Sequence, residues 1–168
     1  MNRAKAFTLV EILIVVVILG LLAAIVIPAF GEGAMSARAA ALIQDLRILQ
    51  RFTLIYKSQH REVAPGYPNG NTSSTPTESA FVNQATQSST STGQTAAIGT
   101  SGYNRGPYLA KIPTNPVNNL NTVQILEDSS PFPADADNSH GWIYKPATGE
   151  VRADCTGSDT GGNAYYAY

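Results

Sequence analysis

Glu11 is the residue whose chemistry most demands explanation. It follows Phe7-Thr8-Leu9-Val10 and precedes a stretch from Ile12 to Gly31 that carries no charge. Ionisable groups beside so long an apolar run are expensive, and as a rule they are functional and paired. Two readings follow from its type and place. The carboxylate either stays wet at a membrane interface or finds a cation when copies of the chain come together. A second candidate lies in Pro133-Ala134-Asp135-Ala136-Asp137-Asn138-Ser139, where two carboxylates and an amide fall within four residues. Asp135, Asp137 and Asn138 suit a hard cation such as calcium, which takes about six to eight oxygens. The same residues also make an ordinary acidic solvated turn, and no EF-hand spacing is present. Asp154 and Asp159, on either side of Cys155, form a weaker alternative.

No constellation for catalysis is legible. His60 and His140 are the only histidines, and neither stands at metal-ligand spacing from another ligand. There is no G-x-S-x-G elbow, phosphate-binding loop or dinucleotide fingerprint. Cys155 is the single cysteine, so an intramolecular disulfide is impossible. With no basic cluster nearby to lower its pKa, it reads as a buried or idle thiol. The chain is expected to be no enzyme and to require no cofactor.

The elements that must hold these residues begin with Ile12–Gly31, which has about the 20 apolar residues needed to cross a bilayer as a helix. Arg3 and Lys5 precede it and place the N-terminus on the cytoplasmic side, with all that follows outside. A secretory signal would have a shorter core and a small-residue cleavage site after it; Ile27-Pro28-Ala29-Phe30 offers none. Beyond it, Met35, Ala39, Leu42, Leu46 and Leu49 recur at three and four, with Ile48, Phe52 and Ile55 alongside. This is the pattern of an amphipathic helix. The first terminator is Pro65-Gly66, so one helix is expected over about residues 7–58. Gly20 and Pro28 interrupt it, and Pro28 removes the hydrogen bond to Ala24.

Charge divides the chain. Residues 1–61 carry seven basic and three acidic side chains, whereas residues 62–168 carry four and nine. The net charge of −1 and the absence of a basic surface argue against nucleic acid as a partner. Residues 69–102 contain 15 Ser or Thr among 34 and one charge, Glu78. They read as a solvated loop, within which Glu78–Thr86 is a short helix capped by Thr77. Asn71-Thr72-Ser73 fits a glycosylation sequon. Residues 106–116 hold three prolines and are expected to pin Tyr108, Leu109 and Ile112 into a core. Residues 122–126 and 142–146 alternate as strands. Residues 147–150 are a turn, with 151–154 the returning strand of a hairpin.

Lys5-Ala6-Phe7-Thr8-Leu9-Val10-Glu11-Ile12-Leu13-Ile14-Val15-Val16 closely resembles the leader of type IV pilins and type II secretion pseudopilins. The resemblance implies that a prepilin peptidase cuts between Ala6 and Phe7 and methylates the new amino group of Phe7. It also implies that Glu11 pairs with the N-terminal ammonium of a neighbouring subunit, and that Gly20 and Pro28 bracket a segment that loosens in the filament. Ala6 departs from the glycine usual before the cut. More loosely, Gly106–Pro116 and Gly141–Asp154 resemble heads of proteins related to the major pseudopilin, a group that holds calcium in a C-terminal loop.

The expected fold is therefore α+β: a long N-terminal helix on a small antiparallel sheet, as in type IV pilins. The expected segments are a leader over 1–6, a membrane and filament-core half over 7–30, an amphipathic half over 31–58, and a head over 59–168 with an insert at 69–102. The expected role is a pseudopilin polymerised from the inner membrane, its head periplasmic, with a prepilin peptidase, an assembly platform and other pseudopilins or pilins as partners. A true pilin of surface fibres, and a single-pass anchored binding protein that never polymerises, are the alternatives.

Overall fold

The computed structural model describes residues 8–168, the side chains of residues 25–32 excepted. Its longest element, α1, spans Leu9–Gln59. The chain divides into two compact units, Met1–Ala37 and Arg38–Tyr168. In the first, the described residues are helical from Leu9 onward and their apolar side chains are exposed on every side, from Leu9 (83%) to Leu22 (53%).

In the second unit, α1 contributes Ala39, Leu42, Leu46, Leu49, Phe52 and Tyr56 to the core at helical spacing. Met35 and Ile55, expected on that face, are exposed, and the core row runs on instead through Tyr56 to His60. The helix also stops before Pro65-Gly66. The Glu62 N–H donates to the Lys57 carbonyl at 3.1 Å, while Arg61 and Glu62 take left-handed backbone with φ of 55° and 64°. An αL turn thus ends α1 without the expected proline and glycine.

Packed in the same core are α2 (Glu78–Thr86) and a sheet of β3 (Val123–Ile125), β4 (Trp142–Lys145) and β5 (Glu150–Ala153), while β1 (Ser88–Ser89) pairs with β2 (Thr95–Ala96). The three-stranded sheet is not purely antiparallel: β4 and β5 form the expected hairpin, but β3 runs parallel to β4. Residues 126–141 make the crossover that a parallel pair requires. Trp142, Tyr144 and Val151 are buried against Phe81, Phe52 and the α1 leucines.

The expectation of a solvated loop over 69–102 fails. Thr77 caps α2 as the pattern predicts, accepting from the Ala80 N–H at 3.2 Å. Phe81 and Ala85, one turn apart, then enter the core. Gln84 is buried beside them, accepting from Gly66 N–H (2.7 Å) and donating to the Tyr67 carbonyl (2.9 Å). Buried Ser89 exchanges backbone hydrogen bonds with Arg105. As expected, Ile112 is buried and Tyr108 and Leu109 pack against the core.

His60 joins the end of α1 to β1. Its ring stacks on Tyr56 with centroids 3.7 Å apart; Nδ1 lies 2.7 Å from the Tyr56 carbonyl and Nε2 2.9 Å from Ser89 Oγ. A carbonyl at Nδ1 requires N–H there, and in the neutral ring that burial favours Nε2 accepts from the Ser89 hydroxyl. Burial is the main influence that holds its pKa below the usual 6.5, with Arg105 adding to it and hydrogen bonding of the ring to the Tyr56 and Thr90 backbone opposing. The unfolded chain therefore binds this proton first. The contribution of neutral His60 is complete above about pH 6.5 and falls as pH drops from there through the folded pKa. The thermal midpoint is accordingly expected to fall between pH 7.5 and pH 5, and His60→Asn to flatten that part of the profile; an unchanged slope in the variant would contradict this assignment.

Candidate functional site

Thr8 and Glu11 build the start of α1 between them. The Thr8 N–H and Oγ1–H both donate to Glu11 Oε2 at 2.9 Å, and the Glu11 N–H donates back to Thr8 Oγ1 at 3.2 Å. A helix begins with four N–H groups that have no partner within it. This reciprocal capping box satisfies the one at Glu11 and fixes the entering chain at Thr8. It also sets a carboxylate at the positive end of the helix dipole. The signal is present in the sequence as Thr-x-x-Glu before an apolar run, and neither reading of Glu11, as a wet interfacial carboxylate or as a partner for another subunit, took in Thr8.

Ala6 and Phe7 lie outside the described residues. Gly20 is described, and a Cβ added there would meet nothing within 4 Å. The bounds of α1 run through Gly20 and Pro28, though the Pro28 side chain is outside the description. Among the described residues no helix is long and apolar enough to cross a membrane. The expected crossing over 7–30 takes in Phe7 and the side chains of 25–30, which are not described.

The acidic turn is closed by protein donors. Asp137 Oδ1 accepts from Ser139 N–H (2.8 Å), and Asn138 exchanges two bonds with Thr156, at 2.8 and 3.0 Å. Buried Asp154 organises the turn from across it. Its Oδ1 accepts from Asp137 N–H at 2.9 Å; its Oδ2 accepts from His140 N–H at 2.8 Å and Ser139 Oγ–H at 3.2 Å. Among the described residues no group of three or more His, Cys, Asp or Glu is placed to hold a metal. Asp159 stands apart in a second closed turn, bonded to Gly161, Asn163 and Tyr168. Bonds from Asn163 foremost, then Tyr168, hold its pKa at about 2.

The Ser89–His60 contact has the form of a nucleophile and its base, but both groups are buried and Ser89 has no exposed surface. It works as a clamp between α1 and β1. Cys155 is buried and unpaired, and burial raises its pKa, so it is the inert thiol expected.

Residues 1–27 match the family model described as the prokaryotic N-terminal methylation motif. The chain carries a prepilin-type N-terminus. This motif supports a type IV pilin-like or pseudopilin-class protein, implies processing by a prepilin peptidase and pilin-type assembly, and points to membrane anchorage. It also indicates a structural subunit. The long helix with small mixed sheets is consistent with a pilin-like fold. No curated protein and no solved structure matches the chain.

The Asp154 hub yields a prediction for the head. Asp154→Ala removes the buried carboxylate that accepts from Asp137 N–H, His140 N–H and Ser139 Oγ–H, and hydrogen bonds to a charged group contribute about 1.5–3 kcal/mol each. A loss of about 2–4 kcal/mol in denaturant unfolding is expected, and a loss under about 0.5 kcal/mol would show that the turn does not depend on this carboxylate.

Proposed function

We propose that the protein is a pseudopilin: a structural subunit, not an enzyme, that polymerises from the inner membrane into a short filament serving protein export. The observation that carries the reading is the prepilin motif over residues 1–27 together with a first part of α1, Leu9 to Leu22, whose apolar residues stand exposed on every side. A helix apolar all round belongs in lipid or inside an assembly of helices. A filament subunit needs both in turn, with lipid before assembly and neighbouring helices after it. The lone cysteine favours a pseudopilin over a surface pilin, because the disulfide that commonly closes the pilin head cannot form here.

In this reading the peptidase cuts between Ala6 and Phe7, and the methylated ammonium of Phe7 meets Glu11 of a neighbour. Leaving water costs each charge heavily, and pairing them offsets that cost. Gly20 and Pro28 mark where the helix gives way on assembly. The assembly platform and other pseudopilins supply the remaining partners.

The capping box makes the test sharper than a plain deletion. Glutamine serves as well as glutamate at the third position of a capping box but carries no charge. Glu11→Gln therefore preserves the start of α1 and removes only the ion pair. Filament yield from the full chain, expressed with its assembly machinery, is expected to fall at least tenfold, a loss of roughly 1.4 kcal/mol or more per contact. Wild-type yield from Glu11→Gln together with loss in Glu11→Ala would reduce Glu11 to a helix cap. Long surface fibres on the parent cells would favour the surface-pilus alternative.

A further inference from the structure

The face of α1 turned away from the core is dressed for a partner. Opposite Leu42, Leu46 and Leu49 lie Arg47, Gln50, Arg51 and Leu54, all exposed, with Leu54 at 69%. Beside them runs a groove of about 290 Å³ between α1 and the C-terminal residue, walled by Ile43, Leu46, Arg47, Gln50 and Tyr168. Among the described residues the one ion pair joins Arg152 to Glu150, so Arg47 and Arg51 have no carboxylate at ion-pair distance. The helix thus presents an apolar slot with Arg47 in its wall and Arg51, exposed, one turn further along the helix, neither paired with a carboxylate.

The complementary chemistry exists on the same chain. The β3–β4 crossover reads Glu127-Asp128-Ser129-Ser130-Pro131-Phe132-Pro133-Ala134-Asp135-Ala136-Asp137. Its four carboxylates have no Lys or Arg among them in sequence, and Glu127, Asp128, Pro131, Asp135 and Asp137 are exposed. Phe132 is half-buried, with the Arg152 guanidinium 4.3 Å above its ring, which steadies the proline-flanked tip. The crossover is an apolar knuckle between acidic shoulders.

We infer that the crossover of one subunit docks on the α1 face of a second copy, with Pro131–Pro133 against the Ile43–Tyr168 slot and Glu127 and Asp135 facing Arg47 and Arg51. This deepens the filament reading and rests on it. The two surfaces differ, so the contact is heterologous, and a heterologous contact that does not close into a ring propagates as an open helical polymer. Exposed charge pairs contribute little singly and are screened by salt; their larger effect lies in excluding wrong registers.

The test is a charge exchange in the full chain, expressed with its assembly machinery and read as the fraction of protein in sheared, sedimentable filaments. Arg47→Glu with Arg51→Glu, and separately Glu127→Lys with Asp135→Lys, are each expected to lower that fraction at least about fivefold, because like charges then face each other. The chain carrying all four substitutions is expected to recover to within about twofold of the parent, since the pairs are re-formed with sign reversed. Thermal midpoints of all three should stay near the parent's; if one drops, Arg47→Gln with Arg51→Gln tests the same loss with less perturbation.

Parent-like filaments from both double variants would overturn the docking and leave the pseudopilin reading intact. Failure of the fourfold chain to recover, with the arginine variants losing binding to phosphatidylglycerol vesicles, would make this face a membrane contact and also overturn it. A parent chain that forms no filament would remove the pseudopilin reading and the docking together.

Discussion

An apolar helical surface that its own chain leaves uncovered governs this molecule. From Leu9 to Leu22 every described large apolar side chain is more than half exposed. Burying a Leu, Ile or Val fully is worth about 1.5–3 kcal/mol, so a dozen of them cannot be left in water at equilibrium. Bilayer and helix bundle meet the same demand, so the membrane anchor and the filament core proposed for this segment ask the same of its sequence. Glu11 is the exception within that surface. The capping box gives its carboxylate a local partner in the single chain, and that partner is neutral. An approaching ammonium therefore competes with hydroxyl and amide donors rather than with an existing ion pair.

The second unit solves a different problem. None of its strands exceeds four residues, and the sheets alone could not bury a core. The shortfall is met first by α1, whose leucines and Phe52 and Tyr56 form one wall. It is met second by buried polar side chains that tie loops down. Gln84 fastens the chain after α1, Asp154 the crossover, and His60 the end of the helix. In a head with one cysteine these hydrogen bonds perform the cross-linking that a disulfide would otherwise give. Each such group is costly unless satisfied, so removing one partner at any of these sites destabilises the loops it ties down.

Much of this was legible because local rules carried it. The heptad-like recurrence through Leu42, Leu46 and Leu49 announced the covered helix face, Thr77 announced α2, and Thr148-Gly149 announced the β4–β5 hairpin. The parallel pairing of β3 with β4 was not legible. Alternation fixes which side of a strand is buried and says nothing about the direction of its neighbour. Residues 69–102 misled because serine and threonine favour solvent on average, whereas Ser88 and Ser89 here are buried as β1, paired with β2 and, through Ser89, with Arg105. At the N-terminus the Glu11 register was plain, and the Thr8 cap was missed because a long-range role for the carboxylate obscured its nearest neighbour. The acidic crossover was legible from composition only as a solvated turn or a cation site; how its Asp137 N–H meets Asp154 and its Asn138 meets Thr156 depends on contacts 15 or more residues away.

Everything proposed for assembly depends on the chain acquiring a new amino terminus at Phe7, where a cation stands beside the start of α1. The direct measurement is the intact mass of the protein recovered from its native membrane. The account predicts a chain beginning at Phe7 and carrying one additional methyl group. A mass equal to the uncut chain, with residues 1–6 still attached, would contradict it, because no ammonium would then stand where Glu11 requires one.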